Sequence, residues 1–255
     1  MNIVLAAGGT GGHIIPAIAV AEALRDRAPD VRVCLLGTGA EIEQRLCSRY
    51  GLMLHSLPAA PFVGKGIAGR MRSAAGLPRA VYKAAQFFRG FKPEAVLGFG
   101  GYPSVAPVLA AWITGRPALI HEQNAEVGLA NRMLSLICRK VYAVHGAQGF
   151  WRSGHASYLS NPVRREFAAL PPWQAPAAGE PLRVLVVGGS QGAVTLNTAI
   201  LAQIPIFKRF NVTLVHQSGK LDYERLCSSY AAASWRAVER SEEHTSELQS
   251  HLCIS

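Results

Sequence analysis

Hydrophobic and polar residues alternate along this chain in blocks that predict strands followed by helices. A short apolar run, Asn2–Ala6, leads into the glycine-rich segment Gly8–His13. The next residues have helical spacing, because Ile14, Ile18 and Ala21 fall on one face. A helix that begins directly after a glycine loop points its free N–H groups over the loop, which favours phosphate or another anion. The pattern therefore predicts an anion-binding strand–loop–helix unit.

The same arrangement recurs later, where the apolar run Arg183–Val187 leads into Gly188–Ala193 and a second helical pattern. Other short runs rich in Val, Leu and Ile predict strands, and helical patterns separate most of them. The predicted strands are Arg32–Leu36, Ala95–Gly98, Ala118–His121, Val141–Val144 and Val212–His216, and the predicted helices include Glu41–Tyr50, Ala80–Phe88 and Val127–Ile137. This alternation predicts an α/β fold with parallel sheets, whose ligands bind at the carboxyl ends of the strands.

A proline-rich stretch divides the chain. Residues 168–181 contain four prolines and no periodicity, which is typical of a linker. We therefore predict two Rossmann-like domains, at residues 1–165 and 166–239, the second incomplete because it contains only two clear strands. We interpret residues 240–255 as a non-native tail, because Arg240–His251 resembles the in-frame translation of a sequencing adapter. The alternative is a natural polar tail.

The positive charge of the chain is concentrated in one stretch. The net charge of +10 suits an anionic partner. Between His55 and Lys92 there is no Asp or Glu, and apolar residues alternate with basic ones, a composition that favours an anionic membrane surface. No nucleic-acid motif accompanies the charge, so we predict no nucleic-acid partner. The alternative is an ordinary helix with a solvated basic face. The seven basic residues are Lys65, Arg70, Arg72, Arg79, Lys83, Arg89 and Lys92.

Several classes of protein are disfavoured. The five cysteines are odd in number and form no C-x-x-C pair, so reduced cytosolic thiols are expected rather than a disulfide framework or a metal site. We expect no signal peptide and no spanning helix, since no apolar stretch approaches the roughly 20 residues that a bilayer requires. The first glycine loop lacks the Walker lysine, and no acidic residue ends the second strand near Leu36. ATP or GTP hydrolysis and NAD-dependent oxidation are therefore disfavoured.

Five motifs follow one another along the chain: Gly8–His13, Gly98–Ser104, His121–Asn124, Asn161–Arg164 and Gly188–Ala193. Together they resemble those of the peptidoglycan glycosyltransferases of the MurG family, over about residues 1–235. The resemblance implies a fold of GT-B type and an inverting mechanism with no metal or other cofactor. It also implies a peripheral location at the cytoplasmic face of the bacterial inner membrane.

The family resemblance implies a hexosyltransferase that moves N-acetylglucosamine from UDP-GlcNAc to undecaprenyl-pyrophosphoryl-MurNAc-pentapeptide (lipid I), which makes lipid II. His13 would be the base that takes the proton of the acceptor hydroxyl, a role that suits imidazole near neutral pH. Asn124 would contact the sugar nucleotide, Arg164 would lie near the donor diphosphate or sugar, and Ser190 would bind a donor phosphate at the second glycine loop. The substrate-binding residues implied are Thr10, Gly11, Gly12, Asn124, Arg164 and Ser190.

Alternatives remain at this point for residues and for function. His13 could merely hydrogen-bond the loop, His121 suits a structural role, and Glu122 could be a base or could fix loop geometry. The chain could be another GT-B transferase with a lipid acceptor, such as a galactolipid synthase, or a non-catalytic membrane-binding fragment. In the family, further donor contacts come from later segments that this sequence does not contain, which leaves open that truncation inactivates this chain.

Overall fold

The computed structural model of the chain divides into two units, Met1–Ala168 (unit 1) and Ala169–Ser255 (unit 2). The predictions made for Lys65, for Ser190 and for the tail at 240–255 concern residues that lie outside the described ones. The described residues are 1–58, 67–152, 154–188, 192–231 and 235–238.

Unit 1 is built on a parallel sheet with the strand order β3-β2-β1-β4-β5-β6-β7. Each neighbouring pair in it is parallel. The strands are β1 (Asn2–Ala6), β2 (Arg32–Gly37), β3 (Met53–Ser56), β4 (Ala95–Gly98), β5 (Ala118–Glu122), β6 (Lys140–Ala143) and β7 (Ala156–Tyr158). The helices of unit 1 are α1 (Gly11–Arg27), α2 (Glu41–Arg49), α3 (Ile67–Phe91), α4 (Tyr102–Ile113), α5 (Leu129–Leu134) and α6 (Arg165–Ala168).

Two apolar layers cover the sheet of unit 1, one on each face. Val4 belongs to the cluster that contains Phe88 of α3, while its neighbour Leu5 belongs to the cluster that contains Ile14 and Ile18 of α1. Successive strand residues point to opposite faces, so a strand buried on both sides must be apolar throughout. This is why the central strands read as continuous hydrophobic runs.

Unit 2 repeats the alternation on a smaller scale. Its described strands form a parallel sheet in the order β10-β9-β8. Its small core contains Val186, Leu214, Leu226 and Tyr230. The strands are β8 (Leu182–Val187), β9 (Val212–Gln217) and β10 (Arg236–Val238), and the helices are α7 (Val194–Ala202), α8 (Ile204–Arg209) and α9 (Tyr223–Tyr230).

The predicted alternation of strands and helices is confirmed, with three kinds of error. The helix predicted at Ala80–Phe88 is longer and spans Ile67–Phe91, whereas the one predicted at Val127–Ile137 is limited to Leu129–Leu134. The prediction of two strands in the second half is wrong, because β10 is a third. Strands β3 and β7 were not predicted either. Both lie at sheet edges, where one side of the strand has no neighbour and the hydrophobic pattern is weak.

Candidate functional site

The sheet of unit 1 has a topological switch point between β1 and β4. From β1 the chain proceeds to β2 and β3 on one side, and it then crosses to β4 on the other side. The loops after β1 and β4 therefore diverge and leave a crevice at the carboxyl ends of the strands, where open parallel sheets bind their ligands. The N–H of Phe99 donates to the carbonyl of Ala6 at 2.9 Å, which keeps the two strand ends together. Two of the glycine motifs therefore line one crevice.

The first glycine loop ends at the start of α1. Thr10 caps the helix in an extended conformation, and its carbonyl accepts hydrogen bonds from the N–H groups of His13 and Ile14 at 3.2 and 3.3 Å. The Thr10 side chain makes no capping bond among the described residues, and Thr10 and Gly12 are exposed. The first N–H groups of a helix, here those of Gly11 and Gly12, have no intrahelical acceptor. The three predicted substrate-binding residues of this loop thus form an electropositive helix start at which Thr10 and Gly12 are exposed and Gly11 is half-buried.

A buried carboxylate, that of Glu43, holds this loop from below. Its Oε1 accepts hydrogen bonds from the N–H of Gly9 at 3.1 Å and from the Thr38 hydroxyl at 2.8 Å. Its Oε2 accepts from the N–H groups of Thr38 and Gly39, each at 2.7 Å. Glu43 therefore ties the loop after β1 to the loop after β2. Sequence reasoning missed this residue, although an acidic side chain in the first turn of a helix is typical of such hydrogen bonding.

His13, the predicted base, lies in the first turn of α1 and is half-buried. Its Nδ1 is 2.9 Å from the carbonyl oxygen of Phe99 and 2.5 Å from the side-chain nitrogen of Gln123. The ring packs on Gly101, whose φ of 69° is a conformation that favours glycine, and a Cβ there would lie 3.1 Å from His13 Nε2. Because both polar contacts of the ring are made at Nδ1 among the described residues, Nε2 is the nitrogen left for a substrate.

The loop after β5 is organised by Glu122, which is buried. Its Oε1 accepts hydrogen bonds from the main-chain and side-chain N–H groups of Asn124, at 3.0 and 2.9 Å. Its Oε2 accepts from the N–H of Gly128 at 3.1 Å and from the side-chain amide of Asn131 at 2.9 Å. Because each oxygen accepts two hydrogen bonds, this carboxylate fixes the geometry of the loop. This is one of the two roles considered from the sequence.

Asn124 and the segment that begins at Asn161 meet on this loop. Asn124 is exposed and donates its side-chain amide to Glu122. Its side-chain oxygen accepts no hydrogen bond from any described residue and is available to a ligand. The side chain of Asn161 donates to the main-chain carbonyl of Gln123 at 3.3 Å. Since Gln123 also touches His13, the structure brings together the motifs that begin at Gly8, Gly98, His121 and Asn161.

Arg164 lies elsewhere in unit 1. Its guanidinium donates to the hydroxyl of Tyr50 at 2.8 Å, pairs with Glu166 at 2.7 Å and lies 4.6 Å from the centre of the Phe167 ring. Tyr50 follows α2, and a crossover helix runs back toward the amino ends of the strands. The structure therefore places Arg164 apart from the glycine crevice within unit 1. Its place near the donor diphosphate or sugar stays a prediction.

His121 is buried beside the ring of Phe99, with the ring centres 5.6 Å apart. Burial is the largest effect on this ring and lowers its pKa, while Glu122 and the side chain of Gln123 act in the opposite direction. A histidine that is held neutral inside the core suits the structural role considered from the sequence.

In unit 2, the described ends of the second glycine loop pack on the end of β9. A Cβ on Gly192, where φ is 75°, would collide with the main chain of Ser218. The buried side chain of Asn197 donates to the Ser218 carbonyl at 2.9 Å and to Asp222 at 2.8 Å. Sequence reasoning missed Asn197. The donor-phosphate role of Ser190 stays a prediction.

The basic surface predicted from the sequence lies partly on α3. Arg79, Lys83 and Arg89 are exposed there, and Tyr82 between them is 58% exposed.

Across the ranges that the structure describes, no helix combines the length and the apolar character that a bilayer crossing requires. Within the same ranges, no three His, Cys, Asp or Glu side chains are grouped so that they could hold a metal ion.

Models of protein families match both units of the chain. The model of the glycosyltransferase family 28 N-terminal domain matches residues 3–143, and that of the family 28 C-terminal domain matches residues 183–255. A relative from Alkalilimnicola ehrlichii is 40% identical over 238 residues, which are 91% of this chain and 65% of the relative. One from Acidithiobacillus ferrooxidans is 39% identical over 235 residues, 91% of this chain and 64% of the relative. Both are named UDP-N-acetylglucosamine–N-acetylmuramyl-(pentapeptide) pyrophosphoryl-undecaprenol N-acetylglucosamine transferase. The chain thus spans just under two thirds of these relatives.

Solved structures confirm the predicted α/β fold of GT-B type. The crystal structure of Acinetobacter baumannii MurG superposes with a TM-score of 0.69 at 28% identity, over 95% of this chain and 69% of that one. Staphylococcus aureus MnaA, solved with UDP, superposes with a TM-score of 0.61 at 12% identity, over 98% of this chain and 72% of that one. At such low identity the second likeness shows the fold alone.

Proposed function

The chain belongs to glycosyltransferase family 28, and we propose from this membership that it transfers N-acetylglucosamine from UDP-GlcNAc to undecaprenyl-pyrophosphoryl-MurNAc-pentapeptide. The product would be lipid II, a precursor of peptidoglycan. Relatives named for this reaction are 36–40% identical over about 90% of the chain. The observation that carries the proposal is the position of His13, at the start of α1 and inside the crevice between β1 and β4.

In the proposed reaction, Nε2 of His13 takes the proton of the acceptor hydroxyl. The hydroxyl oxygen attacks the anomeric carbon of the sugar as the bond from that carbon to the UDP oxygen breaks, so the configuration inverts and UDP leaves with the electron pair. A positioned base contributes typically 10²–10⁴-fold to such a step. Both contacts at Nδ1 hold the ring so that Nε2 is the nitrogen available for this proton.

The electropositive start of α1 would hold an anionic group of a substrate beside this base. The N–H groups of Gly11 and Gly12, next to the Thr10 hydroxyl, form the kind of site that binds pyrophosphate at a helix start. Asn124 would add its free side-chain oxygen to the sugar nucleotide. Arg164 is assigned to the donor diphosphate or sugar, and Ser190 to a donor phosphate, on the family motif alone. We assign residues 1–165 to the acceptor-binding domain and 166–239 to the donor-binding domain.

We further propose that the enzyme is peripheral, at the cytoplasmic face of the inner membrane, and that the exposed cations of α3 attach it to anionic lipid. Each basic residue close to an anionic surface contributes about 1 kcal/mol. Arg79, Lys83 and Arg89 would together contribute about 3 kcal/mol. A lipid-linked acceptor requires its enzyme at the membrane, and so this attachment follows from the substrate.

A transfer assay with UDP-GlcNAc and lipid I tests the proposed reaction. The chain should form lipid II, and His13→Ala should reduce turnover by about 10²-fold or more while UDP-GlcNAc binding, measured by titration calorimetry, stays the same. His145→Ala, which changes an exposed histidine in the loop after β6, is the matched control and should be fully active. Absence of product with the unaltered chain would overturn the proposal. Transfer to diacylglycerol would favour a galactolipid synthase, and absence of both product and UDP-GlcNAc heat would favour a non-catalytic fragment.

Vesicle sedimentation tests the membrane surface. Replacing Arg79, Lys83 and Arg89 by Gln should weaken binding to vesicles of phosphatidylglycerol and phosphatidylethanolamine by about 10²-fold. The control removes the same charge from unit 2, where Arg183, Lys208 and Arg209 are exposed, and should bind like the unaltered chain. Equal losses in both triple variants would show a general charge effect and would overturn this part of the proposal.

A further inference from the structure

Two groups compete for one nitrogen of the His13 ring. Nδ1 lies 2.9 Å from the main-chain oxygen of Phe99 and 2.5 Å from the side-chain nitrogen of Gln123. A carbonyl oxygen can only accept, so its contact requires a proton on Nδ1. An amide NH2 can only donate, and a donor cannot face the Nδ1–H at this distance. The contact with Phe99 is therefore incompatible with an amide nitrogen at this position.

The side-chain oxygen of Gln123, at the other end of the same amide, is buried and lacks a hydrogen-bond donor of good geometry among the described residues. Both ring nitrogens of the buried His121 also lack a partner of good geometry among the described residues. The Gln123 oxygen acts on that ring only as a weak acceptor, which raises the pKa of His121 against the larger effect of burial. A half-turn about the last side-chain bond exchanges the oxygen and nitrogen of an amide with almost no change of shape, and the hydrogen-bond network decides between the two orientations. Here the exchange gives His13 an acceptor and presents a donor to His121.

We propose that Gln123 is a positioning residue for His13. Its side-chain oxygen, together with the Phe99 carbonyl, accepts the proton on Nδ1, and this fixes the neutral ring as the tautomer whose Nε2 carries the lone pair. Many histidine bases are oriented at the equivalent nitrogen by a carboxylate. A neutral amide orients the ring without placing a negative charge beside the anionic substrates proposed above. The role of Nε2 as a base rests on the proposed function, whereas the tautomer itself does not.

The main chain of Gln123 is held on both sides, which gives its side chain a fixed origin. Glu122, immediately before it, is fastened by hydrogen bonds to Asn124, Gly128 and Asn131. The carbonyl of Gln123 itself accepts a hydrogen bond from Asn161 at 3.3 Å. A positioning residue requires such support, because a mobile acceptor would not select one tautomer.

Long-range proton–nitrogen NMR correlation of the whole 15N-labelled chain tests the proposal without any substrate. The spectra are recorded at a pH where the histidine rings are neutral, and the His13 signals are assigned by their loss in His13→Ala. The expected result is a protonated Nδ1 and an unprotonated Nε2 in His13. A protonated Nε2 with a bare Nδ1 would overturn the proposal.

Variants of Gln123 separate its contribution from that of Phe99. Gln123→Leu removes one acceptor and should shift the tautomer ratio about fivefold toward the Nε2–H form. Gln123→Glu restores an acceptor oxygen and should keep the Nδ1–H form, while Gln86→Leu, at an exposed position of α3, should change nothing. An unchanged ratio in Gln123→Leu would show that Phe99 alone fixes the ring, and would overturn the assignment of Gln123. If the tautomer is as expected but no sugar transfer occurs, only the proposed function fails.

Discussion

Replacing Glu122 by glutamine should destabilise unit 1 by about 3 kcal/mol. Each carboxylate oxygen accepts two N–H groups, but the amide of glutamine has one oxygen, so its NH2 must face two donors whichever way it turns. Since Asn124 is exposed and water can reach its donors, the NH2 should turn toward Asn124. The oxygen then keeps Gly128 and Asn131. Two hydrogen bonds to a charged acceptor are lost, each worth about 1.5–3 kcal/mol. The lower end of that range applies because water compensates in part, which gives about 3 kcal/mol for the two.

The measurement is urea unfolding of the whole chain, followed through hydrogen exchange at the amides of β5, which report on unit 1. Glu126→Gln is the matched control, because Glu126 is an exposed residue of the same loop, and its effect should stay within about 0.5 kcal/mol. If Glu122→Gln were as mild as this control, the four hydrogen bonds would not fix the loop, and the account of how Gln123 and Asn124 are placed would fail with them.

Two further predictions concern the crevice and the response to pH. Gly101→Ala should displace the His13 ring and shift its NMR signals, because the new Cβ would lie 3.1 Å from Nε2, whereas Gly115→Ala, with the same φ of 69° and open space around it, should leave them in place. Equal shifts in both variants would contradict this. Stability should fall as the pH drops below about 6.5, since burial lowers the pKa of His121 and His216 and the unfolded chain then binds protons first. In His216→Gln the urea midpoint should depend less steeply on pH, and an equally steep dependence would refute the role of that ring.

The sequence was sufficient for the elements whose environment is uniform along the chain. Strands such as β1 and β4 have neighbours on both sides and apolar residues at nearly every position, so they are visible as short hydrophobic runs. The helix after the first glycine loop was equally clear, because Ile14, Ile18 and Ala21 recur at helical spacing and are all buried. At the sheet edges this signal weakens, which is why β3 and β7 were missed.

The hydrogen bonds that join one loop of the site to another could not be predicted, because they link residues that are distant in the sequence. Glu43 bonds to Gly9 across 34 positions, and Gln123 contacts His13 across 110. A motif names the residues of a loop, but it does not say which buried side chain supports them from below. Only the fold determines that Glu43 reaches the first loop and that the amide of Gln123 meets the histidine ring.

The carboxylates of Glu43 and Glu122 are each held by neutral N–H and O–H donors, without a basic partner in the part of the chain that the structure describes. Dissolved ions weaken attraction between exposed opposite charges, but they have little effect on buried dipoles that already surround a carboxylate. The proposed attachment through α3 depends on attraction between exposed opposite charges. The loops at the crevice depend instead on buried dipoles around Glu43 and Glu122. A rise in ionic strength should thus detach the protein from lipid while its crevice keeps its shape.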